Sequence, residues 1–334
     1  MSIPSKQRAV IVETTGGPEV LSFRTDHSVP TPGEGQVLVK NEISGINFID
    51  TYFRTGLYPS PKPEVLGREA AGTVAALGQG TESSCLSVGD RVIWLANAGY
   101  AEYSAVPADK TIKLPDGLSY ADATAAFMSG LTVLALSKET YEVKEGDWVL
   151  LHAAAGGAGF LMTQVLKHIG AKVIGTAGGP EKCALVKSLG ADHVIDYRSK
   201  DGKDWVSAVK AITGGNGVDV VYDSVGKDTW EGSLEVVKRK GTVVWFGNSS
   251  GPIPPMPLNR LSPKCVKIAR PTLFGYIATR EEFEEYSNLL FGLLTSGALK
   301  VNIHGYYSLS DLKQAHKDLE GRRTTGKILI KITQ

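Results

Sequence analysis

Through the first third of the chain, apolar and polar positions alternate with a period of two, in short bursts. Residues 36–44 carry Val37, Val39 and Ile43 in strand fashion, and further bursts follow at 70–77, 91–95 and 102–106. Pro and Gly punctuate the gaps, at Pro30-Thr31-Pro32-Gly33 and Tyr58-Pro59-Ser60-Pro61-Lys62-Pro63. Such spacing predicts a β-rich barrel or partly open sheet. After Ser119 the pattern changes. Residues 121–126 and 131–137 read as helical, and the apolar run Trp148-Val149-Leu150-Leu151 opens a regular alternation. Helices are predicted at 160–169, 181–189, 203–212 and 229–237, with strands at 172–176, 193–196, 219–223 and 242–246 between them. Continuous apolar strands separated by helices indicate a parallel sheet covered on both faces, a doubly wound α/β domain.

The proline-rich stretch 252–257 ends this alternation. The rest of the chain holds a strand at 265–270, helices at 281–295 and 309–319, and a closing strand at 327–332. These elements are too few for a third domain and are expected to return and complete the first. The expected organisation is therefore residues 1–125 with 268–334 as one domain and 126–267 as the other. A length of 334 residues agrees with about two domains. No internal repeat or low-complexity segment interrupts the reading.

Charge narrows the field of partners. With 36 Lys+Arg against 35 Asp+Glu, no basic excess stands ready for nucleic acid. Cys85, Cys183 and Cys265 are odd in number and far apart, so they form neither a disulfide framework nor a zinc spacing. They are expected to be buried thiols in a reducing compartment. Residues 1–10 lack the apolar core of a secretory signal, and the C-terminal Lys331-Ile332-Thr333-Gln334 is no peroxisomal address. The uncharged stretch 148–166 has about membrane length. Its glycines, with His152 and Gln164, favour a strand, a turn and a helix instead. A cytoplasmic protein is expected.

Chemistry enters at His152-Ala153-Ala154-Ala155-Gly156-Gly157-Ala158-Gly159, which follows a predicted strand and opens a predicted helix. Aligned on its last glycine, a dinucleotide fingerprint places Gly at 154, 156 and 159, and here Ala154 occupies the first position. The physics survives this departure. Gly156 lets backbone approach a pyrophosphate, Gly159 permits close helix–strand packing, and the helix N-terminus supplies N–H groups. The alternative is an ordinary tight turn. An NAD site wants a carboxylate at the end of the next strand, but that strand ends Gly175-Thr176-Ala177-Gly178-Gly179. Lys182 follows at once and Tyr197-Arg198 ends the third strand, a cationic setting that suits the 2′-phosphate of NADPH; otherwise Lys182 is a solvated first-turn lysine.

Other motifs are decoys. Gly247-Asn248-Ser249-Ser250-Gly251 matches the nucleophile elbow of hydrolases, yet the prolines at 252, 254, 255 and 257 forbid the helix that an elbow requires. The triplet Lys238-Arg239-Lys240 reads as a solvated helix end. The six histidines show no ligand spacing, so no metal is expected.

Taken together, the runs Gly45-Ile46-Asn47-Phe48-Ile49-Asp50-Thr51-Tyr52, Gly130-Leu131-Thr132, His152 to Gly159, Val221-Tyr222-Asp223-Ser224-Val225-Gly226 and Phe246 to Gly251 resemble a known family. It is the zeta-crystallin-like, NADPH:quinone oxidoreductase branch of the medium-chain dehydrogenase/reductase superfamily. The resemblance spans nearly the whole chain. It implies a GroES-like β-rich catalytic domain, a Rossmann domain inserted into it, and a homodimer or higher oligomer. It also accounts for the missing metal, because zinc-dependent relatives carry Cys where this chain has Asn47 and Gly-His-Glu where it has Gly67-Arg68-Glu69. Quinones and activated alkenes need less polarisation than alcohols, in keeping with reduction without a Lewis acid.

By position, the resemblance implies that Asn47, Tyr52 and Thr132 border the nicotinamide of NADPH. Gly156, Gly157, Ala158 and Gly159 would hold its pyrophosphate, and Gly178, Lys182 and Tyr197 its 2′-phosphate region. Ser224, Val225, Phe246, Gly247, Asn248, Ser249, Arg270, Pro271 and Thr272 would line the remaining groove. Tyr52 and Tyr58 are placed for contact with a planar quinone, unless they are plain packing. Two other functions stay open: an NADPH-dependent enone or 2-alkenal reductase, and an RNA-binding or structural crystallin-like role. Against RNA stand the neutral charge and the lack of interleaved basic and aromatic residues.

Overall fold

A computed structural model describes residues 3–333. Met1, Ser2 and Gln334, the outermost residues of the two terminal segments, lie outside the described residues. The chain divides into two compact units, Met1–Met128 with Thr279–Gln334, and Ser129–Ala278.

In the first unit the alternating bursts become antiparallel strands. The long strand Gln36–Ile46 is central. It pairs with Glu69–Leu77, with Tyr103–Pro107 and with Lys327–Lys331, all antiparallel. The ladder continues from Glu69–Leu77 to Arg91–Leu95 and Thr111–Lys113. Beyond Lys327–Lys331 it ends on a parallel edge strand, Ile303–Ser308. A smaller sheet of Leu21–Ser28, Lys6–Val12 and Glu64–Val65 completes the β-rich layer. One face of the alternation builds a core of Val37, Val39, Val74, Val92, Trp94 and Val106. A second cluster joins Val10, Val12, Leu66, Tyr100, Leu312, Ile328 and Ile330. The short helix Phe48–Thr55 leaves the end of the central strand and stops at Gly56, whose φ of 82° provides the left-handed cap.

The second unit is a six-stranded sheet whose pairings are all parallel. Its strands follow one another as His193–Asp196, Lys172–Ala177, Trp148–Leu151, Val218–Asp223, Val237–Trp245 and Lys267–Ala269. In chain order this is 3-2-1-4-5-6, the doubly wound order of dinucleotide-binding folds. The core is the fully apolar interior of those strands, with Leu150, Ile174, Val221 and Val243 buried. The 148–166 stretch is indeed a strand, a turn and the helix Gly157–Ile169. No helix among the described residues is long and apolar enough to cross a membrane.

Four expectations need correction. The strand near 265–270 does not return to the first unit's sheet; Lys267–Ala269 pairs parallel with Val237–Trp245. The two helices predicted at 121–126 and 131–137 are one, Tyr120–Ala135, because burial on several sides carries it through Ser129-Gly130. Lys238-Arg239-Lys240 opens a strand rather than ending a helix, since the preceding helix Trp230–Val236 stops at once before it. Finally, Cys85 and Cys265 are exposed and only Cys183 is half-buried. Both exposed cysteines close 3-10 turns in the left-handed region, at φ 56° and 50°, on surface loops.

Candidate active site

In the second unit the strand order reverses between Trp148–Leu151 and Val218–Asp223. A ligand crevice forms outside the carboxyl ends of strands at such a switch point. Here the glycine turn leaves the first of these strands. Ala153 takes the left-handed conformation, at φ 52°. A Cβ on Gly159 would fall against the Ala153 carbonyl and the Ala154 backbone, so Gly159 is what lets the helix start this close to the strand. Gly156 caps the helix Gly157–Ile169 with no side chain. The N–H groups of Gly157, Ala158 and Gly159 therefore lie in a first turn with no side-chain acceptor, a setting that fits an anionic pyrophosphate.

The neighbouring strand Lys172–Ala177 ends without a carboxylate, at Gly178-Gly179. A Cβ on Gly178 would run into the Tyr197 hydroxyl and Cζ, and lie 3.0 Å from Arg198 Nε. Gly178 thus seats a phenol and a guanidinium side by side. Lys182 stands in the first turn of the helix Pro180–Ser188. Two acids stand near, Glu181 in the first turn of that helix and Asp196, whose Oδ1 accepts from the N–H groups of Gly179 (2.8 Å) and Arg198 (2.9 Å). Those backbone bonds hold the Asp196 carboxyl below the usual range. A 2′-phosphate fits this donor set.

On the other side of the switch point, the ends of two adjacent strands are zipped together. Ser249 and Ser250 N–H donate to the Ser224 and Val225 carbonyls at 3.1 and 2.9 Å. Gly247 lies so close to Ser224 that a Cβ would collide with its backbone. Asp223 Oδ1 accepts from the N–H groups of Val225 (2.8 Å) and Gly226 (3.0 Å). Arg270 donates to the Trp245 carbonyl at 2.7 Å, and through Nη2 to Asn248 Oδ1 at 2.9 Å. Phe246 is half-buried beside these loops, and Pro271 and Thr272 follow Arg270. No helix follows Gly247-Asn248-Ser249-Ser250-Gly251, where a hydrolase elbow requires one. Thr132 lies half-buried on the helix Tyr120–Ala135 rather than on a strand end.

Sequence reasoning missed the support beneath this edge. His152 is buried, with Nδ1 3.1 Å from Thr176 Oγ1 and Nε2 3.3 Å from Ser233 Oγ. Ser233 in turn donates to Asp223 at 3.0 Å. Burial pushes the His152 pKa down, against the opposing pull of Asp223. The result ties the glycine turn to the Asp223 turn through one polar chain. Only its place at the head of the glycine run marks His152 in the sequence.

In the first unit, Asn47, Tyr52 and Tyr58 gather around one short helix. Tyr52 and Tyr58 meet edge to face, with centroids 5.1 Å apart. Phe48 and Phe53 extend the cluster, and the Arg68 guanidinium lies 3.6 Å from the Phe53 ring centroid. Asp50, fully buried, accepts from the Asn47 N–H (2.8 Å) and the Tyr100 hydroxyl (2.7 Å). Burial dominates and raises its pKa to about 6, although both hydrogen bonds and the Arg68 and Lys327 charges oppose this. Arg54, also buried, anchors the last turn of the helix to Glu320 at 2.7 Å and sits 2.9 Å from His316 Nδ1. Burial pushes His316 down to about 3.

Asn47 and Arg68 are the residues that the resemblance places where zinc-dependent relatives carry ligands. An amide and a stacked guanidinium do not fit a catalytic zinc, and no group of three or more His, Cys, Asp or Glu among the described residues is arranged for a metal.

Comparison with known proteins agrees with both units. Residues 33–116 match the alcohol dehydrogenase GroES-like domain, and residues 157–292 the zinc-binding dehydrogenase family. The quinone oxidoreductase of Salmonella typhimurium is 47% identical over 321 residues, which is 94% of this chain and 96% of that protein. The chain belongs to the quinone oxidoreductase family, within the medium-chain dehydrogenase/reductase superfamily. In this family, the Escherichia coli quinone oxidoreductase solved with NADPH superposes with a TM-score of 0.92. It is 44% identical and covers 97% of this chain and 100% of its own. A 2-haloacrylate reductase from a Burkholderia species is 37% identical over 333 residues, 96% of this chain and 98% of that protein.

Proposed function

We propose that this chain is an NADPH-dependent quinone reductase that works without a metal. The observation that carries the cofactor is the pairing of an uncapped helix N-terminus at the switch point with an acid-free second strand beside Lys182, Tyr197 and Arg198. In this reading Gly156, Gly157, Ala158 and Gly159 hold the pyrophosphate, and Gly178, Lys182 and Tyr197 the 2′-phosphate. Ser224, Val225, Phe246 to Ser249 and Arg270 to Thr272 line the groove, and Asn47, Tyr52 and Thr132 border the nicotinamide. When bound, NADPH supplies the hydride and the protein supplies orientation and a dry surface. The edge-to-face wall of Tyr52 and Tyr58 offers an apolar surface with phenol donors to a planar quinone.

Both ends of the chain form a GroES-like catalytic domain around a Rossmann domain, a reading that the division into two units supports. The edge strand Lys267–Ala269 of the parallel sheet, with Ile268 exposed, supports a homodimer. Three thiols outside any disulfide, two of them on the surface, support a cytoplasmic setting. The likeness to a 2-haloacrylate reductase favours activated alkenes as a second acceptor class.

The test is the oxidation of NADPH by 9,10-phenanthrenequinone, with NADH and EDTA as controls. Turnover with NADPH, weak turnover with NADH and indifference to EDTA are expected. Tight NADPH binding without quinone turnover, but with turnover of a short enone, would move the assignment to an alkene reductase.

A further inference from the structure

The side chain of Asn47 is held at both ends by a buried ion pair that the proposed reaction does not otherwise use. Its Oδ1 accepts from Lys327 Nζ at 2.6 Å, and its Nδ2 donates to Glu69 Oε1 at 2.7 Å. Lys327 and Glu69 bond directly to each other, with side-chain exposures of 4% and 0%. Glu69 Oε2 is fixed in turn by the Met128 N–H at 2.8 Å. The backbone of Asn47 is pinned as well, through its N–H to Asp50. Gly45 makes room for the pair, because a Cβ there would collide with Glu69 Oε1 and Lys327 Cε.

This arrangement dictates which way the amide faces. Turned over, Asn47 would set its NH2 against an ammonium and its oxygen against a carboxylate. A buried ion pair is a poor source of stability, and its best-attested use is to specify one arrangement over another. Glu69 takes one of the two amide hydrogens of Asn47 and leaves the second on a half-exposed side chain.

We propose that Lys327 and Glu69 are positioning residues that lock the Asn47 amide so that its second N–H serves a carbonyl oxygen of the reactants. That oxygen belongs either to the quinone or to the nicotinamide carboxamide. The role in the reaction rests on the quinone reductase reading; the locking of the amide does not.

The experiment is a mutant cycle with a structural readout. The pair is replaced together, Lys327→Met with Glu69→Met, because apolar substitution of a whole buried pair often preserves stability while loss of one partner does not. Asn47→Asp keeps the shape and removes the N–H. Asn47→Asp, Asn47→Ala and the pair variant should each lower the same parameter by roughly tenfold, as for one lost hydrogen bond. The triple variant, the pair with Asn47→Ala, should lose no more. Loss in kcat/KM for 9,10-phenanthrenequinone with an unchanged NADPH dissociation constant identifies the quinone oxygen; a weakened NADPH dissociation constant identifies the carboxamide. Lys327→Arg should retain most activity. Wild-type rates in a folded pair variant, or losses that multiply in the triple variant, overturn the proposal.

The Asn47 side-chain NH2 signals in 15N-labelled protein test the lock without turnover. One hydrogen should be protected from exchange in the wild type and in Lys327→Arg. If the pair variant does not fold, Glu69→Leu, which offers no acceptor to the amide hydrogen, replaces it in this measurement. Protection that persists without the carboxylate overturns the lock. A wild type inert towards quinone, with its Asn47 hydrogen protected, would instead overturn the function and leave the lock standing.

Discussion

Asp50→Asn isolates the cost of one buried charge. Asp50 is fully buried, spends Oδ2 on Asn47 and Tyr100, and has no partner for Oδ1. Its pKa rises from an ordinary 3.8 to about 6. A carboxyl raised on folding binds its proton more tightly in the folded state, so its contribution to stability is complete below about pH 4 and is lost as the pH climbs through 6. The gap between 3.8 and about 6 corresponds to about 3 kcal/mol in full. Most of this falls between about pH 4 and pH 8. An asparagine in its place cannot ionise, so the variant should gain on the wild type by that amount across the range, whatever fixed penalty its weaker hydrogen bonds impose. Native-state hydrogen exchange on the amides of Glu69–Leu77 reads opening of the first unit alone and suits a two-unit chain better than a global melt. A difference between the proteins that stays flat with pH, or moves the other way, would refute the reasoning.

Further expectations rest on the same contacts. Lys182→Ala should raise KM for NADPH about tenfold and leave KM for NADH nearly unchanged, consistent with loss of one charge-assisted phosphate contact; equal effects on both would remove Lys182 from the 2′-phosphate site. Gly178→Ala should push the Tyr197 ring away and weaken NADPH binding severalfold in a fluorescence titration, with the fold intact because a half-buried side-chain end gives way. Tyr52→Phe and Tyr58→Phe should lower kcat for 9,10-phenanthrenequinone severalfold if their hydroxyls donate to the quinone; full kcat in both would restrict these rings to packing.

Much of the fold was legible because the strongest signals are periodic. The strands Arg91–Leu95 and His193–Asp196 keep the predicted bounds, and the alternation after Trp148 gave the parallel sheet. The elements that failed to show have physical causes. Leu21–Ser28 is mostly exposed, with Ser22 to Asp26 carrying little apolar pattern to betray a strand. Ile303–Ser308 is an edge strand rich in His, Gly and Tyr, so no alternation marks it. Ser129-Gly130 looks like a helix break, but burial outweighs the roughly 1 kcal/mol that a helical glycine costs. In the site, glycines speak through their spacing, whereas Lys327 reads as an ordinary solvated strand end and Glu69 as part of a lost zinc motif. Only the pairing of Gln36–Ile46 with Lys327–Lys331 on one side and Glu69–Leu77 on the other brings those two charges to Asn47.

That pairing also sets a schedule for the nascent chain. Asn47 and the lysine that orients it are 280 residues apart. At about 5–20 residues per second, the ribosome takes roughly 15 to 55 s to span that distance. All of Ser129–Ala278 emerges within this interval and can fold while the strand Gln36–Ile46 still awaits its neighbour. Until then the short edge from Ile43 to Ile46 and the carboxylate of Glu69 lack their cover, which leaves the early segment open to wrong pairing. Slow codons placed within the inserted unit would lengthen this exposure, and synonymous changes there should alter soluble yield without altering a single side chain.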